Sequence, residues 1–155
     1  MCRDRGYIGV WFVMAVLQIS VFLESQPGHL KRVLAAFMAA GISVRGYSVS
    51  DTGDYGIARF ILDKPTEALE VLRTQGWAAA QAEVICIRLP DRPGELAHVM
   101  GVIAEAEINV LYSYSLISTI IAIHVDHIPS AEAALKHQPV DLVSQEEISS
   151  TSARV

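Results

Sequence analysis

The sequence predicts an α+β fold made of two tandem units, each with the element order βαββαβ. First, the five residues from Gln26 to Leu30 recur as Arg92 to Leu96, 66 residues later when counted from Pro27 to Pro93. Second, strand and helix periods alternate in the same order in both copies. Third, 52% of the residues are hydrophobic and only 19% are charged, so the chain can build packed cores.

Copy one begins with a predicted strand at residues 17–23, where apolar residues occupy alternate positions. Apolar residues at helical spacing then form one stripe, which predicts a helix: Leu30, Val33, Phe37 and Ala40. A hairpin follows, with strands at 42–50 and 55–62 around turn residues 51–54. A second helix from Pro65 to Gly76 and a short strand at 77–82 complete the unit.

Copy two repeats these patterns in the same order. We predict strands at 84–89, 108–116, 119–126 and 140–145, and helices at 94–106 and 130–137. In each copy this order gives an antiparallel sheet with both helices on one face, the ferredoxin-like arrangement. The other sheet face lacks a cover of its own, so we expect the neighbouring unit or a second chain to bury it.

The predicted domain organisation is an N-terminal extension at 1–13, domain one at 14–82, domain two at 83–148 and a flexible tail at 149–155. Residues 1–23 imitate the basic and hydrophobic parts of a signal peptide, but no small-residue cleavage site follows them. A signal peptide or membrane anchor would also remove the first strand of copy one. We therefore expect no membrane association.

Composition also restricts the partners and the compartment. The net charge is −5 and no Lys/Arg cluster is present, which argues against nucleic acid as a partner. The two cysteines, Cys2 and Cys86, do not form a disulfide framework, and this favours a reducing, cytoplasmic location. Because small units bury little surface alone, we expect a homo-oligomer, most simply a homodimer.

In copy two, a strand is followed by Asp91-Arg92-Pro93-Gly94-Glu95-Leu96, an amphipathic helix and then Ile108-Asn109-Val110. This combination resembles the ACT domain signature, and copy one carries a weaker version in Ser25-Gln26-Pro27-Gly28-His29-Leu30 and Ile42-Ser43-Val44. The resemblance covers about residues 16–147. It implies a stand-alone tandem ACT protein that binds an amino acid, or a similar small molecule, at interfaces between ACT units.

The resemblance also implies where the ligand binds. The loop after the first strand, and the start of the second strand of a neighbouring unit, form such sites in the family. Carried over by position, the loop residues are Asp91, Arg92, Pro93, Gly94, Glu95 and Leu96 in copy two and Ser25, Gln26, Gly28, His29 and Leu30 in copy one. Asn109 and Ser43 hold the strand-start positions, and Ser25 and Ser43 depart from the family pattern, so the site of copy one is altered or empty.

The residues themselves allow this chemistry and also a structural alternative. The helix that begins near Gly94 offers unpaired N–H groups to a carboxylate, and Asp91 offers a partner to an ammonium group. Equally, Asp91 could only cap this helix, and Asn109 could bond within its own turn. Tyr112 and Tyr114 share one strand face near the predicted site, where they either line a pocket or pack.

We predict no catalytic residues, no metal site and no cofactor. His124 and Asp126 share a strand face, but no nearby Cys pair or third ligand completes a metal shell. The sequence also has no Gly-rich phosphate loop and no nucleophile–base set within one motif, so we do not expect an enzyme. The predicted function is ligand sensing; the alternative is a regulatory subunit that contacts an enzyme of amino-acid metabolism through its open sheet face.

Overall fold

The structure, a computed structural model, describes residues 14–150 of the chain. The strands are β1 (Val16–Glu24), β2 (Val44–Asp51), β3 (Tyr55–Leu62), β4 (Ala79–Arg88), β5 (Val110–Ser115), β6 (Ile120–Val125) and β7 (Asp141–Val143). The helices are α1 (His29–Ala39), α2 (Pro65–Thr74), α3 (Glu95–Glu105), α4 (Ile128–Lys136) and α5 (Gln145–Ser150). Within this range, every helix is too short or too polar to cross a membrane.

Unit one has the predicted antiparallel sheet, with strand order β2-β3-β1-β4. Helices α1 and α2 cover one face, because alternate strand residues such as Ile19 and Val21 point toward their apolar stripes. Phe37 of α1 packs edge-to-face on Phe60 of β3, with ring centroids 5.1 Å apart. Pro65 occupies the first turn of α2, as the sequence predicts.

Unit two repeats the fold with strand order β7-β4-β6-β5 and with α3 and α4 on one face. Helix α4 begins at Ile128, two residues before its predicted start at Ser130. The earlier start has a local cause, since the His127 side chain caps the helix by accepting a hydrogen bond from Ser130 N at 3.2 Å. The α+β prediction of two βαββαβ units is confirmed.

The two units share one strand, which the sequence analysis divided into two. The predicted strands at 77–82 and 84–89 form the single strand β4, so the expected domain boundary falls inside a continuous element. The first part of β4 pairs with β1, from Ala79 to Val84, and the last part pairs with β6 and β7. The sheet therefore runs from unit one into unit two without a linker.

The helix-free faces of the two sheets cover each other. Val16 and Ile61 of unit one pack with Cys86 and Ala122 of unit two in a third apolar cluster. The strand path β2-β3-β1-β4-β6-β5 also curls until its two ends meet at a bridge between Gly46 and Leu116. The neighbouring unit thus buries the uncovered face, one of the two expected solutions.

The C-terminal segment differs from its prediction. The expected strand at 140–145 is reduced to β7, and residues 145–150 form helix α5. Ile148 is buried between the sheets, while the Gln145 side chain bonds Leu17 N at 3.1 Å and Leu62 O at 3.3 Å. Residues 149 and 150 of the predicted flexible tail are therefore helical. The rest of that tail and the predicted extension at 1–13 lie outside the described residues.

Candidate functional site

Helices α1 and α3 begin in the same unusual way. Each follows a glycine in the left-handed conformation, Gly28 and Gly94, both at φ 90°. This backbone angle favours glycine, because other residues would bring Cβ close to the chain. Neither helix receives a hydrogen bond from a capping side chain in the described residues, so N–H groups of the first turn remain free for a ligand.

The copy-two cleft lies against the free end of α3 and has a volume of about 220 Å³. It is bounded by the loop after β4, the first turn of α3 and the hairpin between β5 and β6. Its lining residues are Leu89, Pro90, Asp91, Arg92, Glu95, Leu96, Ser115, Ser118, Thr119, Ile120 and Ile121. Four of the predicted loop residues, Asp91, Arg92, Glu95 and Leu96, therefore come together around one space.

Charges of both signs border the copy-two cleft. Arg92 Nη2 and Glu95 Oε1 form a salt bridge of 2.7 Å across the first turn of α3. Asp91 is exposed and does not cap the helix, so the structural alternative in which it serves only as a cap is wrong. A free carboxylate therefore stands a few residues from free helical N–H groups, an arrangement that suits a ligand with an ammonium and a carboxylate.

The copy-one cleft is the matching space in unit one, with a volume of about 280 Å³. Its lining residues are Leu23, Glu24, Ser25, Gln26, Pro27, His29, Leu30, Val49, Asp51 and Gly56. Here the carboxylate comes from the hairpin, because Asp51 Oδ2 accepts a hydrogen bond of 3.4 Å from Ser25 Oγ. The two copies thus keep the cleft but change the residues that border it.

His29 is placed at the base of the copy-one cleft. Its ring packs edge-on against Trp77 at 6.1 Å, and Arg32 lies 5.2 Å above the same indole ring. Its Nδ1 atom is buried and has no hydrogen-bond partner among the described residues.

The strand-start residues Asn109 and Ser43 lie at the other end of their sheets. Asn109 and Asp126 exchange two hydrogen bonds, Asn109 N to Asp126 Oδ1 at 3.2 Å and Asp126 N to Asn109 O at 3.1 Å. Ser43 and Asp63 exchange the same pair in copy one, at 2.8 Å and 3.2 Å. The clefts are lined instead by the far ends of β5 and β2, so the chain does not bring Asn109 or Ser43 to them.

Tyr112 and Tyr114 do not line the copy-two cleft. Of the two alternatives, lining a pocket or packing, they follow the second. Strand alternation turns both toward the helix-free face, where they meet Gln18 of unit one. Gln18 Nε2 donates to the Tyr112 hydroxyl at 2.7 Å, and the Tyr114 hydroxyl donates to Gln18 Oε1 at 2.8 Å. Burial, with smaller contributions from Cys86 and Tyr112, raises the pKa of Tyr114, so it remains a neutral donor.

Two further polar residues, Gln18 and Arg59, lie at this contact. Gln18 is completely buried, although its alternation with Ile19 and Val21 suggested a solvent-facing position. Arg59 stacks on Tyr112, with Cζ 4.2 Å from the ring centroid, and Nη1 donates to Ser50 Oγ at 3.1 Å. No local pattern identifies these residues, because only the packing of one sheet on the other buries the second face of β1.

Metal and thiol chemistry place requirements on the metal-ligating side chains and on the one described cysteine. In residues 14–150, no three His, Cys, Asp or Glu side chains lie close enough to hold a metal ion. Burial raises the pKa of the Cys86 thiol to about 12, which keeps it protonated and unreactive.

Comparison with known proteins gives a consistent picture. The sequence profile of the family described as "ACT domain pair" matches residues 14–151. The crystal structure of protein BT0572 from Bacteroides thetaiotaomicron is similar, with 26% identity and a TM-score of 0.84 over 89% of this chain and 98% of that one. No functionally curated protein matches the sequence significantly.

Two regulatory subunits of aspartate kinase share the fold. The ligand-free subunit from Thermus thermophilus is 23% identical, with a TM-score of 0.60 over 79% of this chain and 89% of that one. The subunit from Thermus flavus is 19% identical, with a TM-score of 0.56 over 80% and 92%. At these identities the likeness concerns the fold.

Proposed function

Because this chain belongs to the ACT domain pair family, we propose that it is a regulatory protein that binds an amino acid in the copy-one and copy-two clefts. The ACT domain pair is a family of regulatory domains, and we propose no reaction for the protein. The site residues of this proposal are Asp91, Arg92, Glu95 and Leu96 in copy two, and Ser25, Gln26, His29 and Leu30 in copy one. Gly94 and Gly28 shape the two loops.

One observation carries this proposal: the same cleft occurs twice, each time against a helix that begins without a side-chain cap. A free helix N-terminus has a partial positive charge and suits a carboxylate. Asp91 in copy two, and Asp51 or Glu24 in copy one, offer the negative charge that an ammonium group requires. The different polar residues of the clefts predict different ligand affinities.

A thermal-shift screen of the full 155-residue chain against the proteinogenic amino acids tests the proposal. A ligand that binds only the folded state raises the melting temperature by mass action. We expect one or a few amino acids to do so, and we expect Asp91→Asn to reduce the shift. The matched control is Glu105→Gln, which removes an exposed acid at the other end of α3 and should keep the shift. If no amino acid raises the melting temperature, the proposal fails.

The alternative is a regulatory subunit that acts through contact with an enzyme. The open sheet face expected for this contact is not open, since the helix-free faces bury each other. A different surface, on α1 and β2 of unit one, has the apolar character expected of a protein-binding surface. Of the exposed large apolar residues of unit one, two lie on α1, Leu34 and Met38, and two on β2, Tyr47 and Val49.

Copy two has no equivalent of this apolar surface. The residues 66 positions later are Met100, Ala104, Ser113 and Ser115, which are smaller, more polar or less exposed. Unit two exposes the apolar residues Leu96, Leu111 and Ile117 at other positions. Exposed apolar patches are typical of interaction surfaces. We therefore propose that this surface of unit one forms the interface of a homodimer. The alternative partner to test at the same surface is an enzyme.

For the location, we propose the cytoplasm. Cys86 is a free, buried cysteine, and a protein without a disulfide framework suits a reducing compartment. Fractionation of the native host cells would test this, with the protein expected in the cytoplasmic fraction and its presence in an extracytoplasmic fraction contradicting it.

A further inference from the structure

A cavity of about 430 Å³ lies where the two units meet. It shares three of its nine lining residues with the copy-two cleft and none with the copy-one cleft. We call it the junction cavity and define it by Val44, Arg45, Arg88, Ile148 and residues 116–120. These residues come from the start of β2 in unit one, the end of β4, the hairpin between β5 and β6, and α5. Neither unit forms this space alone.

A β-bridge and several hydrogen bonds hold the walls of the junction cavity in place. The hairpin is fixed to β2 by the bridge between Gly46 and Leu116, and by Ile117 N, which donates to Arg45 O at 2.9 Å. Helix α5 is fixed by the bonds of Gln145 to β1 and β3. The cavity is therefore part of the folded architecture, and its volume falls within the range of about 300–1,000 Å³ typical of small-molecule sites.

The walls are apolar except for two arginines and two hydroxyl residues. Val44, Leu116, Ile117, Ile120 and Ile148 supply the apolar part. None of the described residues that line the cavity is acidic. A ligand with an apolar body would therefore find a favourable surface, whereas an ammonium group would lose its water without gaining a carboxylate partner.

The two arginines differ in how their charges are balanced. Arg88 Nη1 is paired with Asp141 Oδ2 at 2.6 Å, and its Nη2 lies 4.0 Å from Glu147 Oε1. Arg45 is half-buried, and its Nε donates to Ile148 O at 3.2 Å. Within residues 14–150, no carboxylate forms a salt bridge with Arg45. Its two terminal nitrogens can therefore donate to both oxygens of a ligand carboxylate.

From this combination we propose that the junction cavity binds a small organic monocarboxylate that has an apolar body and no ammonium group. Arg45 pairs with the carboxylate, and the apolar walls hold the aliphatic part. Aliphatic carboxylic acids and 2-oxo acids of about six carbons belong to this class and fit the volume. This proposal does not depend on amino-acid binding in the clefts, which uses other charged residues.

Such a ligand would link the two units. Its binding surface exists only while the hairpin, β2 and α5 keep their arrangement, so occupancy stabilises that arrangement. Ser118, Thr119 and Ile120 line both the junction cavity and the copy-two cleft. Binding at either place therefore changes the surroundings of the other.

An NMR titration of the full 155-residue chain with 4-methylpentanoate tests the proposal, with 4-methylpentanamide and leucine as matched probes. The amide removes the negative charge, and leucine adds an ammonium group. At the backbone amides of the junction cavity we expect saturable shifts with the carboxylate, and at least about tenfold weaker binding of the amide and of leucine. No saturable shifts of these amides up to about 10 mM, or equal binding of leucine at these amides, would overturn the proposal, whereas leucine shifts confined to the clefts would report the amino-acid sites instead.

Two variants and one control locate the site. Arg45→Met keeps the length of the side chain without its charge, and should weaken carboxylate binding at least about tenfold. Ile117→Glu places a repelling carboxylate at the rim, where the native side chain is 71% exposed and a change should not unfold the protein. Arg73→Met, an exposed arginine of α2, is the control and should bind normally. Unchanged affinity in Ile117→Glu or in a folded Arg45→Met would contradict the assignment.

Discussion

At the scale of single residues, Gln18 joins the two units through a polar contact inside an apolar junction. Both ends of its amide are used, one by the Tyr112 hydroxyl and the other by the Tyr114 hydroxyl. Buried polar groups cost free energy when they lose their hydrogen-bond partners. This contact therefore favours the observed alignment of the two sheets over shifted alignments in which Gln18 would not meet the tyrosine hydroxyls.

We predict that Gln18→Leu lowers the free energy of unfolding by about 2–4 kcal/mol, because it leaves two tyrosine hydroxyls with no partner at the junction. Urea denaturation followed by circular dichroism measures the change. The combination Gln18→Leu, Tyr112→Phe, Tyr114→Phe removes the hydroxyls as well, and should recover part of the lost stability. A triple variant no more stable than Gln18→Leu alone would show that shape, and not polar pairing, sets the cost.

Glu132 predicts a dependence on pH. Its side chain is 7% exposed, and burial raises its pKa, opposed by Lys136 and by hydrogen bonds from the backbone of Met14 and Ala15. A carboxyl group whose pKa is higher in the folded state favours folding when protonated, so its stabilising effect is lost as the pH rises through that pKa.

Glu132→Gln removes the charge and keeps an acceptor for the backbone. We expect its melting temperature to exceed that of the wild type by about 2–4 °C at pH 7. The difference should shrink as the pH falls from the raised folded-state pKa toward the usual glutamate pKa of about 4.3, and should disappear below it. Thermal melts between these pH values measure it, and a difference that grows toward low pH would contradict the sign.

The residues of the copy-two loop could be predicted because a repeated motif identifies them. Gln18, Arg45 and Arg59 could not be, because their surroundings come from the other unit. Tyr112 and Tyr114 show the same limit. Alternation correctly gave them a common face, but only the packing of the sheets shows that this face meets Gln18.

At the scale of elements, the two units approach each other closely between β2 and the hairpin after β5. A Cβ atom on Gly46 would lie 2.6 Å from Leu116 Cγ and 2.9 Å from Leu116 Cα. The backbone of Leu116 cannot move freely, since it is bonded to Ile120 within its own hairpin. Glycine is therefore required for this contact.

We predict that Gly46→Ala lowers the free energy of unfolding by about 1–3 kcal/mol, because it forces the two elements apart. Gly101→Ala is the matched control. Gly101 lies inside α3 with nothing within 4 Å of the added carbon, so the substitution should raise stability by about 0.4–1 kcal/mol. Chemical denaturation of both variants measures the effect. Equal stability of the two would mean that the contact is not close in solution.

Most elements were predictable because apolar periodicity and turn residues mark them. The continuity of β4 was not predictable, because alternating apolar residues identify strand segments but do not show whether two adjoining segments form one strand. Helix α5 was missed for a related reason. Its sequence, Gln145–Ser150, has one buried residue, Ile148, and six residues are too few to show a helical period.

At the scale of the molecule, the two units pack against each other through their helix-free faces. Unit one exposes more large apolar residues than unit two does. We predict a homodimer held by unit one. Replacing Met38, Tyr47 and Val49 with their counterparts in copy two, Ala, Ser and Ser, should give a folded monomer. Tyr55→Ser, another exposed aromatic of unit one, is the control.

Sedimentation velocity measures this prediction. The wild type and the control should sediment with twice the chain mass of 16.9 kDa, and the triple variant with that mass itself. Wild-type protein that sediments as a monomer at all concentrations would contradict the dimer and would favour contact with a different protein.

The central claim is that an amino acid binds against the free N-termini of α3 and α1, and backbone amide NMR tests it most directly. The full chain is titrated with the amino acid that gives the largest thermal shift. We predict the largest amide shifts at Leu96 and Ala97, in the first turn of α3. Leu30 and Lys31 of α1 should also shift, with a different dissociation constant because the two clefts have different polar residues. Saturable shifts confined to other parts of the chain, or no shifts, would contradict the account.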